Sequence, residues 1–125
     1  MIPPKYIKYC GIINSEKSVS TLKNYYALLF PTHFYTEGIP GTLLDALCAG
    51  VPVITSLWAN SDDIFQQDVT GWGYKFGESN MLEELLRKAI KDPKTFLAMR
   101  RKALKQASRF APQSIIEQID GLLYS

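Results

Sequence analysis

The chain has few of the residues that metal centres and disulfide frameworks need. Its 125 residues include two cysteines and one histidine, too few for the Cys/His sets that hold structural zinc. Cys10 and Cys48 both lie in apolar segments, so we predict buried, reduced thiols rather than a disulfide. The composition therefore predicts no metal centre.

Long apolar runs are also missing. No stretch approaches the roughly 20 residues that cross a bilayer, and the first residues do not have the pattern of a secretory signal. The hydrophobic fraction of 46% and the charged fraction of 21% are ordinary for a globular domain. We therefore expect one domain over residues 1–125, located in the cytoplasm.

The charge is unevenly distributed. Residues 1–86 carry five Lys/Arg and nine acids, whereas residues 87–109, the basic block, carry nine Lys/Arg and one acid. A solvated helix face is the most common outcome for such a block. Contact with anionic lipid headgroups, which would place the protein peripherally at the inner face of a membrane, stays open. Nucleic acid is not expected as a ligand, because aromatic side chains do not interleave with the Lys and Arg residues of the basic block.

Residues 27–55 carry the clearest pattern. Residues 27–30 are an apolar run closed by Pro31, and residues 51–55 are a second run rich in β-branched side chains, so both predict strands buried on both faces of a sheet. Residues 42–49 have helical periodicity, with an apolar stripe of Leu43, Leu44, Leu47 and Cys48. Gly50 stands where a helix end needs a left-handed residue. Strand, helix and strand predict a right-handed βαβ unit.

Two acids flank the turn that begins this helix. Ligands of open α/β sheets bind at the carboxyl ends of the strands, where the loop from Glu37 to Gly41 is expected. Free N–H groups at Gly41 and Thr42 favour an anion such as phosphate, and Glu37 and Asp45 offer carboxylates to sugar diols. Solvated acids and glycines that serve only the turn geometry are the alternative interpretation.

The whole segment resembles the carboxyl-terminal domain of the family 4 retaining glycosyltransferases, which have the GT-B fold. The resemblance is carried by Glu37-Gly38, Gly41, the acid at Asp45 and the run Ala-x-x-x-Gly-x-Pro-Val-Ile over residues 46–54. Asp63-Ile64, the run Val-Thr-Gly-Trp-Gly over residues 69–73 and Asp92-Pro93 extend it to roughly residues 6–110.

The resemblance implies a role for each residue of the motif. Glu37 would contact the donor sugar at the catalytic centre, and Asp45 would contact the ribose hydroxyls. The backbone of the following loop would meet the sugar and the diphosphate: Gly38, Ile39, Pro40, Gly41, Thr42 and Leu43. The chain departs from the family in two respects, since the second acid is Asp rather than Glu and Pro40 removes one backbone donor.

The resemblance also implies partners that the chain does not contain. It implies a UDP- or GDP-sugar donor, a saccharide or lipid-linked acceptor, and no metal or other cofactor. The family's basic pair for the diphosphate and its amino-terminal, acceptor-binding domain have no counterpart here. We therefore expect a truncated donor-binding domain that is inactive alone and whose full protein transfers a hexose in polysaccharide or glycoconjugate biosynthesis.

The remaining segments complete a three-layer α/β fold with about four parallel strands. Strands are predicted at residues 6–13 and 71–76. Helices are predicted at 17–26 with Ser15 as N-cap, 80–90, 93–110 and 112–124, with a brief turn at 64–67. Residues 55–62 are predicted to be a loop in which Trp58 and Asn60 either stack on or bind the donor or fold on themselves. His33 is a candidate contact for a phosphate or hydroxyl, and a loop histidine is the commoner alternative.

Two other classes of function are compatible with parts of the pattern. One is a non-catalytic nucleotide-binding or partner-binding remnant of such a domain. The other is a phosphoacceptor signalling domain, which needs clustered acids after its first strand. The predicted first strand ends in Ile12-Ile13-Asn14-Ser15 instead, which argues against that class.

Overall fold

Three parallel strands form the sheet in the described part of this protein. A computed structural model describes residues 4–38 and 40–108. The strands are β1 (Leu28–Phe30), β2 (Val53–Leu57) and β3 (Gly71–Lys75), in the order β1-β2-β3. Both pairings are parallel, and their registers begin at Leu28↔Val53 and Val53↔Gly71. The predicted α/β class with a small parallel sheet is confirmed, with three strands in the described residues rather than about four.

Four helices surround the sheet in the described part of the chain. They are α1 (Ser15–Leu22), α2 (Gly41–Ala49), α3 (Asn80–Lys91) and α4 (Pro93–Ala107), with one 3-10 turn at Ser61–Asp63. The 3-10 turn replaces the predicted turn at 64–67. Helix α1 is displaced toward the amino terminus relative to its prediction, and its N-cap is Asn14 rather than Ser15. None of these helices is both long enough and apolar enough to cross a bilayer.

The sheet separates two apolar clusters, which makes the fold three-layered. Consecutive strand residues point to opposite faces, and Val53 and Ile54 belong to different clusters. The Val53 cluster holds the buried residues of α2, and the Ile54 cluster packs against α3. Helix α4 contributes to both, since Phe96 and Met99 lie in one cluster and Ala103 and Ala107 in the other.

Strand β1 lies at an edge of the sheet, and the prediction of burial on both faces is wrong there. Leu29 is in register with Ile54, and Ile54 with Trp72, so the three share one face. Helix α3 packs on β2 and β3. Because α3 does not reach as far as β1, Leu29 remains 42% exposed.

The predicted strand at residues 6–13 does not form. Residues 4–14 are irregular and exposed, and Tyr6, Tyr9 and Ile12 are among the most exposed apolar side chains described. Gly11 has a positive φ of 75°, which interrupts an extended run. Without a neighbouring strand to satisfy its N–H and C=O groups, this β-prone segment gains nothing from the extended conformation. The first strand in the described residues is thus β1, which is followed by Pro31-Thr32-His33 and not by clustered acids.

Both cysteines are exposed, which corrects the prediction that they are buried. Cys10 and Cys48 are free thiols at the surface. Helix α2 buries Leu43, Ala46, Leu47 and Ala49, so Ala46 and Ala49 take the places that the prediction gave to Leu44 and Cys48. Cys48 follows Leu47 by about 100° of helical rotation and therefore points outward. Gly50 ends the helix in the left-handed conformation, with φ 69°, as predicted.

In the second half of the described chain, the helices agree closely with those predicted from the sequence. Helix α3 turns Leu82, Leu85 and Leu86 toward the sheet and buries Ala89, whereas Ile90 is exposed. Helix α4 begins at Pro93, with Asp92 as N-cap. Its predicted extension toward residue 110 and the predicted helix at 112–124 lie outside the described residues.

Candidate functional site

The carboxyl ends of the three strands meet at one edge of the sheet because all strands are parallel. Phe30, Leu57 and Lys75 are the last residues of β1, β2 and β3. The loop after β1 leads directly into α2, so the amino terminus of α2 lies at the same edge. The segment that carries the predicted site residues is therefore placed at the ligand-binding edge of an open α/β sheet.

Strand β2 holds the beginning of this loop in place. The Thr55 hydroxyl donates to the Phe30 carbonyl (2.9 Å), and the Ser56 hydroxyl donates to the Thr32 carbonyl (2.8 Å). Farther along, the backbone N–H of Ala59 donates to the Tyr35 carbonyl (2.7 Å). These bonds fix the loop to a buried strand, since Thr55 and Ser56 are both inaccessible to solvent.

Glu37 is half-buried in this loop and oriented by Thr32. The Thr32 hydroxyl donates to Glu37 Oε2 (3.1 Å) and accepts from the Phe34 N–H (3.1 Å). The Glu37 N–H in turn donates to the Phe34 carbonyl (3.2 Å). Thr32 was not identified from the sequence, although its place immediately after the strand-ending Pro31 was a usable signal.

The start of α2 has no side-chain cap. Pro40 is the N-cap residue and has neither a polar side chain nor an N–H. In residues 4–38 and 40–108, no partner is found for the N–H groups of Gly41 and Thr42, whereas the Leu43 N–H donates to the Pro40 carbonyl (3.1 Å). The Leu43 side chain is buried in the core, so only its backbone faces the loop. These open N–H groups and the helix dipole favour a negatively charged group.

Asp45 follows one turn into α2 and is half-buried. Its carboxylate forms no ion pair within the described ranges, where the salt bridge that is found joins Glu83 and Arg87. Gly38, Gly41 and Thr42 are exposed between the two acids. The predicted site residues that the structure describes thus lie in the loop after β1 and in the first turns of α2. Ile39 lies outside the described residues.

Two clefts open at this edge, each with a volume of about 330 Å³. The first, the Glu37 cleft, is lined by Phe30, Pro31, Thr32, His33, Phe34 and Glu37. The second is lined by Tyr35, Leu57, Lys75 and Phe76. A larger cleft of about 390 Å³, lined by Val69, Lys102, Lys105, Gln106 and Ser108, contains no predicted site residue. It lies toward the opposite edge, where β3 begins at Gly71.

Trp58 is not available for stacking on a ligand, which corrects one of the two interpretations of its loop. Its side chain is 2% exposed and packs edge-on against Phe30, with 6.0 Å between ring centroids. Strand β2 extends to Leu57, two residues beyond the predicted end, and carries Trp58 into the core. Asn60 is exposed beside this position, and His33 lines the Glu37 cleft.

The charged groups around the carboxyl edge are mostly acidic. Beside Glu37 and Asp45, the segment after β2 adds Asp62 and Asp63, while Lys75 at the end of β3 is the lysine that faces a cleft here. Burial raises the pKa of the neighbouring Tyr74, and the Ser56 hydroxyl acts in the opposite direction. No group of three His, Cys, Asp or Glu residues in the described chain is arranged to hold a metal ion.

Comparison with known families identifies the class of protein to which this fold and site belong. Residues 4–109 match the family model described as Glycosyl transferases group 1. The chain therefore belongs to the group 1 glycosyl transferases, and its parallel α/β domain corresponds to a Rossmann-like half of a GT-B fold. A search of curated proteins returned no match.

Proposed function

We propose that this chain is the donor-binding part of a retaining glycosyltransferase that uses a UDP- or GDP-hexose. One observation carries the proposal: two half-buried acids, Glu37 and Asp45, lie on either side of an uncapped helix start at the carboxyl edge of the sheet. The family match supports sugar transfer as the class of reaction. Residues 1–125 would act as one donor-binding domain.

Each part of the site would take one part of the donor. Asp45 would accept hydrogen bonds from the ribose hydroxyls, because a carboxylate can pair with both groups of a diol. The backbone from Gly38 to Leu43 would approach the diphosphate, whose charge the amino terminus of α2 would stabilise. Glu37, held by Thr32, would position the transferred hexose next to the bond that breaks.

The leaving diphosphate needs positive charge, and α2 supplies part of it. Lys75 lines a cleft at the same edge and would supply more. These groups act by electrostatic stabilisation of charge that develops in the transition state. We propose that no metal takes part in this step.

Transfer also needs an acceptor site, which we assign to a separate amino-terminal domain of the GT-B type. The acceptor would be a saccharide or a lipid-linked saccharide, as in polysaccharide or glycoconjugate biosynthesis. We therefore expect the 125-residue chain alone to bind the donor without transferring its sugar. Product formation from a UDP- or GDP-hexose and an added saccharide by the purified chain would contradict this expectation.

We further propose that the basic block contacts anionic lipid headgroups. The supporting observation is a set of exposed apolar side chains among its bases, namely Ile90 (74% exposed), Leu97 and Leu104. Leu97 and Leu104 are seven residues apart on α4 and share one face with Arg101. Apolar and basic side chains on one helix face are typical of contact with a membrane surface.

A ligand titration tests the donor site directly. The full chain is titrated with UDP, GDP and their hexose conjugates, and binding is followed by ligand-observed NMR, which detects millimolar affinity. We expect one base to bind and Asp45→Ala to weaken that binding at least about tenfold, as expected for a lost charged hydrogen-bonding group. Glu84→Ala, which removes an exposed acid from α3, is the matched control and should leave binding unchanged.

The outcomes separate the enzyme from its alternative. Specific binding that Asp45→Ala removes supports a donor site on this loop. If binding is weak, and if adding an amino-terminal domain does not lead to sugar transfer, a non-catalytic remnant is favoured. Equal binding by Asp45→Ala and the unchanged chain would refute the assigned site.

A further inference from the structure

The Glu37 cleft has a feature that the roles assigned above do not use. Phe34 lines this cleft and is 73% exposed, a high value for a phenylalanine. The neighbouring Tyr35 packs against Phe76 with ring centroids 5.1 Å apart, whereas no aromatic contact is found for Phe34 in the described residues. An aromatic ring is therefore presented to solvent beside a carboxylate.

Phe34 and Glu37 belong to one hydrogen-bonded unit. Thr32 Oγ1 accepts from the Phe34 N–H and donates to Glu37 Oε2, both at 3.1 Å. The Glu37 N–H closes the unit by donating to the Phe34 carbonyl (3.2 Å). Ser56 of β2 anchors the unit through its bond to the Thr32 carbonyl (2.8 Å). The backbone of Phe34 and the carboxylate of Glu37 are thus fixed relative to each other in a loop that is anchored to the buried strand β2.

This combination of groups matches the surface of a pyranose ring. A pyranose has C–H bonds on its faces and hydroxyl groups around its rim. The face of an aromatic ring carries negative charge density and attracts the C–H face, while a carboxylate accepts hydrogen bonds from hydroxyls. Phe30 and Pro31 add apolar walls and His33 a further polar group, and the volume of about 330 Å³ lies in the range of small-ligand sites.

We propose that the Glu37 cleft is a saccharide subsite in which the pyranose ring of the donor stacks on Phe34 and hydrogen-bonds to Glu37. This inference rests on the proposed donor function and specifies where the transferred sugar lies. Phe34 is a specificity-determining residue in it. The sugar, and not the nucleobase, is the group that Phe34 contacts.

The experiment compares ligands with and without the sugar. The full chain and its Phe34→Ala variant are titrated with UDP, GDP, their glucose conjugates and methyl glucoside, and saturation transfer to each ligand proton is measured. We expect Phe34→Ala to weaken the binding of the sugar nucleotide by about three- to tenfold and to remove saturation transfer to the pyranose protons. The binding of the nucleoside diphosphate should not change. Phe34→Tyr should restore binding, because it keeps the ring.

Two controls distinguish stacking from loss of structure. Tyr9→Ala removes another highly exposed aromatic side chain, from the irregular amino-terminal segment, and should change nothing. The thermal unfolding of Phe34→Ala should match that of the unchanged chain, since the ring it removes is exposed.

Each outcome decides one of the two proposals. If the unchanged chain binds the sugar nucleotide and Phe34→Ala binds it equally, the saccharide subsite is refuted and the donor function stands. If Phe34→Ala also weakens the binding of the nucleoside diphosphate, Phe34 contacts the nucleotide and the subsite is again refuted. If nucleotides do not bind but methyl glucoside does, through Phe34, the cleft holds a saccharide that is not the donor, and the donor function and the donor subsite both fail. If none of the ligands binds, both proposals fail.

Discussion

Gly71 lies where β2 and β3 pair and leaves no room for a side chain. It has φ 154°, and a Cβ atom there would collide with the backbone carbonyl of Val53. We expect Gly71→Ala to lower the free energy of unfolding by roughly 3 kcal/mol or more, from backbone strain and overpacking together, as measured by urea denaturation. Gly38→Ala is the control, because a methyl group added there would have no neighbouring atom within 4 Å. A normal stability for Gly71→Ala would contradict the parallel register.

The two tryptophans differ in how their indole N–H groups are satisfied. Trp72 Nε1 donates to Asp68 Oδ1 (3.1 Å), whereas Trp58 Nε1 is buried without a partner in the described residues. Replacement by Phe removes the same volume from both sites but a hydrogen bond only from Trp72. We therefore expect Trp72→Phe to destabilise the protein by about 1–2 kcal/mol more than Trp58→Phe. Equal losses in chemical denaturation would show that Trp58 has a partner.

At the scale of elements, Asp92 determines where α4 begins. Its carboxylate accepts from the Thr95 N–H (3.3 Å), and hydrogen bonds from Thr95, by its side chain and its backbone, hold the pKa of Asp92 below its ordinary value of 3.8. A lowered folded-state pKa contributes stability that is present above pH 3.8 and is lost as the pH falls through the folded-state value.

The cap gives a prediction about pH as well as stability. We expect Asp92→Ala to lower the urea midpoint at neutral pH, because the first turn of α4 loses its cap. Asp92→Asn keeps a capping oxygen but cannot titrate, so its difference from the unchanged chain should shrink as the pH falls below the ordinary Asp range. A difference that stays constant from neutral to acidic pH would contradict the role of the carboxylate.

Elements with a strong internal pattern could be predicted from the sequence, and elements that depend on neighbours could not. The periodicity of α2, α3 and α4 and the β-branched run of β2 are local signals, and the structure has all four elements. The exposure of Leu29 and the irregular residues 6–13 depend on which strands are adjacent, and the local pattern does not contain that information. For the same reason the sequence predicts that the strand ends at residue 55, although β2 continues as far as Leu57 and Trp58 after it is buried.

The candidate site shows the same division. The motif placed Glu37, Gly41 and Asp45 at the carboxyl edge, because a strand, a glycine-rich turn and a helix have few possible arrangements. The hydrogen bonds that join Thr32 and Phe34 to Glu37 were not predicted, since side-chain directions in an irregular loop follow no period. These bonds, and the bond between Thr32 and Ser56 of β2, become visible only in three dimensions.

At the scale of the whole molecule, opposite charges are concentrated in different parts of the chain. The basic block follows an acidic stretch, and in the described residues Glu83 and Arg87 form the ion pair that joins the two. The surface of α4 near Arg101 therefore keeps its positive charge. This separation of charge is the property on which contact with anionic lipid would depend.

Vesicle sedimentation tests that contact. We expect the chain to sediment with vesicles that contain phosphatidylserine but not with neutral vesicles, and to be released by high salt, because the attraction is electrostatic. Arg101→Glu should weaken binding by about tenfold or more, since each base near the surface contributes about 1 kcal/mol and the new acid is repelled. Lys75→Glu changes the net charge equally outside the basic block and should bind normally. Equal losses for both variants would show a general charge effect instead.

The most direct test of the central claim is a map of where the donor binds on the folded chain. Backbone amide NMR signals are recorded while the chain is titrated with the UDP- or GDP-hexose that binds better. We predict that the largest saturable shifts belong to Gly38, Gly41 and Thr42, at the carboxyl edge of the sheet. Shifts concentrated at Val69, Lys102 and Lys105, in the cleft toward the opposite edge, would contradict a donor site built on the start of α2.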